Sequence, residues 1–139
     1  MTEKIHITKS INAPSEKVWA AISAIGGLDK WFPIIAACEV NGSGVGAKRI
    51  CTMPDGAKMH ETIEEIDHDA MRFRYAINES PMPISNYMGT VEMKAAGDAT
   101  ELSWTAEFEV AAEARDEIVE MLTGALSAGV DGLTADLES

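Results

Sequence analysis

The chain has 139 residues and a formal net charge of −12, with 11 Lys and Arg against 23 Asp and Glu. A domain of this length buries about 68% of its unfolded surface and needs no metal or disulfide to fold. We therefore expect a single domain over residues 1–139. The negative charge repels nucleic-acid backbones and anionic membrane surfaces, so no nucleic-acid partner and no membrane insertion is expected.

The sequence contains no recognisable targeting, metal or cofactor motif. The N-terminus, MTEKIHITKS, lacks the pattern of a signal peptide, and no apolar run reaches the roughly 18 residues of a membrane span, so we expect a cytoplasmic protein. Cys38 and Cys51 have no CxxC spacing and no nearby His, and both are interpreted as small apolar residues rather than a zinc site or redox pair. His6, His60 and His68 do not converge, so neither a metal nor a cofactor is expected.

Periodicity predicts a strand, two short helices and then six more strands. Residues 3–12 alternate apolar and polar side chains, as a half-buried strand does. Helical spacing predicts a short helix over residues 15–24, and a second helical turn over residues 28–31 stops before Pro33. Strands separated by turn residues are predicted at residues 35–41, 46–53, 57–67, 70–79, 85–95 and 100–110.

The last segment, residues 113–137, has no proline and repeats apolar residues at spacings of three and four, which predicts a long helix. Gly124, Gly129 and Gly132 each cost such a helix about 1 kcal/mol relative to Ala. Either close packing or open volume beside the helix would explain them. The order of elements has no βαβ alternation and favours an antiparallel sheet that covers the long helix.

Short motifs at the junctions of these elements carry a resemblance to a known superfamily. They are APSEKVW at 13–19, WFP at 31–33, GVGAKR at 44–49, ETI at 61–63 with Asp67, SNY at 85–87 with GT at 89–90, and LSW at 102–104. In this order they resemble the Bet v 1-like or START-like (SRPBCC) superfamily, and within it the polyketide cyclase/dehydrase and lipid transport family. The resemblance covers nearly the whole chain. It implies an α+β helix-grip fold, in which a seven-stranded curved antiparallel sheet surrounds the C-terminal helix and leaves an elongated cavity.

The sequence is similar, more distantly, to plant abscisic acid receptors. This similarity implies that two loops act as lids over the mouth of the cavity, and here those loops fall at residues 54–57 and 80–84. The lysine that holds an acidic ligand in those receptors falls at Ala36 in this chain. Binding of that hormone is therefore not expected.

Strand alternation, combined with the register of the family, selects an inward face of candidate ligand-binding residues. The candidates are Cys51, Met53, Met59, Glu61, Ile63, Phe73, Tyr75, Ile77, Tyr87, Trp104 and Phe108 from the strands, and Ile118, Leu122 and Leu126 from the helix. Most are aromatic, aliphatic or sulfur-bearing, with a few polar atoms, which is the usual composition of a small-molecule pocket. The alternative is a core filled by these side chains.

Glu61 is the candidate for acid–base chemistry, because loss of hydration inside a pocket raises the pKa of a carboxyl group. The alternative interpretation pairs it with Arg49 or Arg74, or exposes it to water at the cavity mouth. Tyr75 and Tyr87 offer hydroxyl groups to a ligand carbonyl, or they bond to each other or to a trapped water.

Two functions follow from these residues. The first is a carrier or sensor, monomeric or homodimeric, that binds a small apolar or aromatic, polyketide-like molecule. The second is a cyclase/dehydrase-type enzyme without a metal or covalent nucleophile, in which Glu61 and Tyr87 are the catalytic pair and Tyr75 is the alternative tyrosine. A structural or interaction role is a third possibility, for which the sequence offers no positive feature.

Overall fold

A computed structural model describes residues 2–139 and contains every predicted element. The helices are α1 (Ser15–Ser23) and α2 (Arg115–Glu138), and the second predicted short helix is a 3-10 turn over Leu28–Lys30. The strands are β1 (Thr2–Ile11), β2 (Ala37–Asn41), β3 (Lys48–Thr52), β4 (Lys58–Asp67), β5 (Arg72–Glu79), β6 (Ile84–Ala96) and β7 (Ala99–Val110).

The strands form one antiparallel sheet in the order β1-β7-β6-β5-β4-β3-β2. Strands β2 to β7 are neighbours in chain order, while β1 pairs with β7, so the first and last strands lie together at one edge. Helix α2 packs against β1, β7 and the 3-10 turn. This architecture confirms the predicted α+β helix-grip fold.

Irregularities in the pairing of β4 with β5 and of β6 with β7 allow the sheet to bend around the helix. The pairing of β4 with β5 shifts register between His60 and Glu61 and again between Ile63 and Glu65. The pairing of β6 with β7 shifts between Ser85 and Met88. An extra residue at such a bulge bends its strand and increases the local twist.

The three glycines of α2 have different surroundings. A Cβ added at Gly129 would lie 2.1 Å from the Phe32 ring, and one at Gly132 would lie 2.3 Å from the carbonyl oxygen of Trp31, so these two glycines permit close packing. A Cβ added at Gly124 would meet nothing within 4 Å. Both explanations offered for the glycines therefore hold, at different positions.

Candidate functional site

The structure buries twelve of the fourteen candidate ligand-binding residues between the sheet and α2. The other two, Met53 and Ile77, are half-buried and pack against this core. The buried residues are Cys51, Met59, Glu61, Ile63, Phe73, Tyr75, Tyr87, Trp104, Phe108, Ile118, Leu122 and Leu126. Strand alternation therefore selects the inner face, although burial alone does not show that a residue binds a ligand.

The space left inside is small. A cavity of about 50 Å³ lies between the sheet and the helix, enough for a water molecule or one small chemical group. It is lined by Leu28, Phe32, Ile34, Ile35, Met59, Glu61, Tyr75, Ile77, Met82, Tyr87, Trp104, Leu122, Ala125 and Leu126. The elongated cavity implied by the resemblance is thus largely filled, because aromatic rings occupy it: the centroids of Phe32 and Trp104 lie 5.4 Å apart.

A larger apolar groove lies at the mouth, between α2 and the loops before β2, after β3 and before β6. Its volume is about 680 Å³, and it is lined by Pro33, Ile34, Met53, Pro54, Asp55, Met82, Glu120, Met121, Leu122, Gly124, Ala125 and Ala128. The groove and the cavity share Ile34, Met82, Leu122 and Ala125, so the two spaces adjoin. On the helical side of this groove the candidate set includes Leu122 but not Gly124, Ala125 or Ala128. The glycine at 124 was the available signal for the rest.

A hydrogen-bonded aromatic cluster forms the polar wall of the cavity. The hydroxyl oxygens of Tyr75 and Tyr87 lie 3.0 Å apart, and Trp104 Nε1 donates to the Tyr75 hydroxyl at 3.1 Å. Gly89 makes room for this arrangement, because a Cβ there would lie 2.2 Å from the Tyr75 ring. Burial, with Glu61 nearby, raises the pKa of Tyr75 to about 12, and burial also raises the pKa of Tyr87 well above its usual value. Both hydroxyl groups are therefore protonated at neutral pH.

Glu61 forms a buried ion pair with Arg49, one of the two partners considered from the sequence. Nε and Nη2 of Arg49 approach Oε1 of Glu61 at 2.7 and 2.6 Å, and the two side chains are 2% and 3% exposed. Arg49 Nη1 donates to the backbone carbonyl of Ile25 at 2.8 Å. Arg49 was absent from the predicted inward face, although it alternates with Cys51 on β3.

The electrostatics of this pair keep the guanidinium charged. Burial by itself lowers the pKa of Arg49, but the adjacent carboxylate of Glu61 reverses the direction and holds it above its usual value. Burial raises the pKa of Glu61, while Arg49 opposes that shift. The guanidinium carbon also lies 4.9 Å from the centroid of the Tyr75 ring, a cation–π distance, so the ion pair and the tyrosine cluster are in contact.

The two cysteines, interpreted from the sequence as separate apolar residues, lie directly opposite each other on β2 and β3. Cys51 is buried and Cys38 is half-buried, and both are free thiols. A hydrogen bond between them is the main cause that lowers the pKa of Cys38 to about 7. The pairing depends on the register of the hairpin, which their spacing in the sequence does not reveal.

Over residues 2–139 there is no helix long and apolar enough to cross a membrane. In the same part of the chain, no three His, Cys, Asp or Glu side chains are grouped so that they could hold a metal ion.

Comparisons with known proteins agree on fold and family. The model of the family described as polyketide cyclase/dehydrase and lipid transport matches residues 2–138. An uncharacterized protein from Bacillus thuringiensis has a TM-score of 0.87 at 23% identity, covering 99% of this chain and 100% of that chain. A protein from Nitrosospira multiformis has a TM-score of 0.82 at 26% identity, with coverages of 99% and 97%.

An enzyme is among the similar structures. Norcoclaurine synthase from Thalictrum flavum, solved with dopamine and hydroxybenzaldehyde, has a TM-score of 0.79 at 24% identity, covering 97% of this chain and 86% of that chain. At that identity the likeness shows the fold alone. No curated protein matches the chain.

Proposed function

Because the chain belongs to the polyketide cyclase/dehydrase and lipid transport family, we propose that it is a carrier or sensor that binds a small, largely apolar molecule in the groove at the mouth. The observation that carries the proposal is the apolar groove of about 680 Å³, which adjoins the interior cavity. Its volume is typical of small-molecule sites. The proposal also includes one domain over residues 1–139, a cytoplasmic location, and a monomer or homodimer as the binding species.

The walls of the groove suit a neutral, apolar ligand. Ile34 and Met121 leave 36% and 45% of their surface in water, and a ligand that covers them gains hydrophobic free energy. Met53 and Met82 face the same space, and their flexible side chains adapt to different shapes. Asp55 at the rim, together with the net charge of −12, disfavours an anionic ligand.

The first test is native mass spectrometry of protein purified from its own host, compared with the mass after denaturation. We expect a small molecule that is released on denaturation. A thermal-shift panel of apolar metabolites then extends the search to ligands lost during purification. An empty protein that no member of the panel stabilises would contradict the proposal and favour a filled core.

A matched pair of helix variants tests the location of the site. Gly124→Leu places a leucine side chain in the groove, where nothing lies within 4 Å of an added Cβ, whereas Ala135→Leu places a leucine at an exposed position on α2. Binding of the neutral fluorescent probe N-phenyl-1-naphthylamine should weaken about tenfold or more in the first variant, because the leucine occupies the binding space. It should be unchanged in Ala135→Leu; equal affinities in the two variants would place the probe elsewhere.

The second candidate function is a cyclase/dehydrase-type enzyme. The observation that favours it is that Glu61, Tyr75 and Tyr87 line the same cavity, so one bound group can contact a carboxylate and a hydroxyl. In this mechanism Glu61 abstracts a proton and Tyr87 donates one during ring closure and loss of water. Exclusion of water from the cavity assists both transfers.

Glu61→Gln distinguishes the two functions, because glutamine keeps the shape of the side chain and cannot act as a base. If the protein is an enzyme, this variant still binds substrate but loses turnover. Tyr87→Phe is the companion variant, and it should also lower turnover. Turnover that Glu61→Gln leaves unchanged would eliminate the mechanism, while binding without turnover by the wild-type protein supports the carrier.

A further inference from the structure

Tyr75 and Tyr87 together have one hydroxyl proton more than their hydrogen-bond partners accept. Two hydroxyl groups supply two protons, and only one of them lies in the bond between the oxygens of Tyr75 and Tyr87. Trp104 donates to the Tyr75 oxygen and accepts nothing, because an indole nitrogen is a donor only. Over residues 2–139 neither hydroxyl group makes a further hydrogen bond, so the other hydroxyl proton is unpaired.

Both tyrosines of the pair line the small interior cavity. Tyr75 and Tyr87 are 4% and 3% exposed and line the cavity of about 50 Å³. An unpaired donor in such a place costs free energy unless an acceptor enters. The cavity admits only one small group, so the body of any ligand must lie in the adjoining groove.

We propose that the ligand carries a neutral hydrogen-bond acceptor, a carbonyl oxygen, at one end of an apolar body, and that this oxygen enters the cavity and accepts the spare proton of the tyrosine pair. This inference rests on the proposed function. A carboxylate is disfavoured, since Glu61 lines the same cavity and Arg49 is already paired with it. A hydrocarbon leaves the donor unpaired.

Three probes on one bicyclic scaffold test the chemistry: 2-tetralone, tetralin and 2-aminotetralin, which present a ketone, no polar group and an ammonium. We expect 2-tetralone to bind the wild-type protein about tenfold more tightly than tetralin, the usual effect of one hydrogen bond. Its carbonyl stretch should lie at lower frequency when bound to the wild-type protein than when bound to the Tyr75→Phe/Tyr87→Phe variant. Equal affinity for 2-tetralone and tetralin, or a preference for 2-aminotetralin, would overturn the inference and leave the proposed binding function intact. If none of the three probes binds, the result contradicts both this inference and the proposed binding function.

Tyrosine variants separate ligand recognition from a merely structural role, because the preference for 2-tetralone over tetralin should depend on how many hydroxyl groups remain. Tyr75→Phe and Tyr87→Phe each leave one hydroxyl group whose proton is no longer shared, so each single variant keeps a preference for the ketone. The double variant has no hydroxyl group and should bind 2-tetralone and tetralin equally, with the carbonyl shift abolished. A ketone preference that survives in the double variant would show that another group recognises the oxygen.

The cysteine pair carries a second inference on independent grounds. Met53 N donates to the carbonyl of Ala57 at 2.8 Å, so the backbone groups of Met53 face β4. Met53 directly follows β3, and the backbone groups of Cys51, two residues earlier, also face β4. Cys38 and Cys51 therefore form a non-hydrogen-bonded pair of the β2–β3 hairpin, in which Cα atoms are about 4.5 Å apart. That separation lies in the range that disulfides span.

We infer that Cys38 and Cys51 form an intramolecular disulfide when the protein meets a peroxide. The sulfur of half-buried Cys38 attacks one peroxide oxygen to give a sulfenic acid and one water, and the sulfur of Cys51 then displaces the hydroxyl group as a second water. Two thiols are oxidised and one hydrogen peroxide is reduced. The product lacks the Cys51 thiol, which helps to hold the pKa of the adjacent Glu61 carboxyl down against the effect of burial.

Treatment with hydrogen peroxide followed by intact-mass analysis tests this inference. The mass should fall by two hydrogen atoms, free thiols should disappear, and dithiothreitol should restore both. Cys51→Ser should instead accumulate oxygen adducts on Cys38, because it lacks the second thiol. Oxygen adducts on the wild-type protein with Cys51 still free, or no reaction at Cys38, would overturn the inference.

Discussion

Tyr75 and Tyr87 are the only two tyrosines in the chain, so their ionisation can be read directly. Burial raises the pKa of Tyr75 to about 12, against an ordinary value of about 10, and also raises the pKa of Tyr87 well above that ordinary value. The folded protein keeps protons that the unfolded chain releases above about pH 10. The stability that the pair contributes is therefore complete below that pH and is lost as the pH rises towards about 12.

A spectrophotometric titration checks this expectation. The tyrosinate absorbance of the folded protein should stay flat through pH 10 and rise only near pH 12, together with unfolding. The Tyr75→Phe/Tyr87→Phe variant is the control, and its stability should fall less over the same interval. Tyrosinate that forms reversibly near pH 10 in folded protein would contradict the burial of both hydroxyl groups.

The ion pair of Arg49 and Glu61 makes a second prediction at single residues. Arg49→Met leaves the carboxylate buried without its counter-charge and should lower the free energy of unfolding by about 3–5 kcal/mol. The Arg49→Met/Glu61→Met double variant removes both charges and should recover much of that loss. Urea unfolding at pH 7 measures the difference, and a double variant no more stable than Arg49→Met would show that the pair is not coupled as the distances indicate.

At the scale of whole elements, periodicity predicts the order and approximate bounds of the strands and helices, because each element has one buried face. Strand β3 shows the limit of this reasoning, because periodicity alone did not identify all of its inward-facing residues. Alternation places Arg49 on the same face as Cys51, yet a charged residue is expected outside unless its partner is known. That partner, Glu61, lies opposite Arg49 on β4, and strand register depends on turns and bulges that the sequence specifies only indirectly.

The candidate site was less predictable than the fold for the same reason. Tyr75, Tyr87 and Trp104 were correctly placed on the inner face, but the volume between them depends on ring packing that no periodicity encodes. Phe32 fills part of that volume because Gly129 lets its ring approach α2. The groove at the mouth depends on the absence of a side chain at Gly124. From the sequence, close packing and open volume beside the helix explain this glycine equally well.

A methyl group added at either of two glycines in α2 should change the free energy of unfolding, in opposite directions. Gly124→Ala meets no neighbour and should raise the free energy of unfolding by about 1 kcal/mol through helix propensity. Gly129→Ala places a methyl group 2.1 Å from the Phe32 ring and should lower it by about 1–3 kcal/mol through overpacking. Chemical denaturation of the two variants gives both values, and a stabilised Gly129→Ala would mean that Phe32 has room to move.

The charge of the whole molecule influences its stability. With a net charge of −12 on 139 residues, the excess of acidic side chains generates a repulsive field around the folded protein. The attractive pairs at the surface, such as Lys4 with Glu107 and Lys94 with Glu101, are exposed and contribute at most about 1 kcal/mol each. Repulsion therefore outweighs attraction at neutral pH, and salt should stabilise the fold by screening it.

Melting temperatures in sodium chloride measure this balance at pH 7. Raising the salt from about 0.01 to about 0.15 M shortens the screening length from about 30 to about 8 Å, which weakens repulsion between carboxylates across the sheet. We expect the melting temperature to rise by about 3 °C or more, which corresponds to roughly 1 kcal/mol in the free energy of unfolding for a chain of this size. The same increment near pH 4.5, where the net charge is close to zero, should have little effect. A melting temperature that falls with salt at pH 7 would mean that the surface ion pairs stabilise the fold more than the excess negative charge destabilises it.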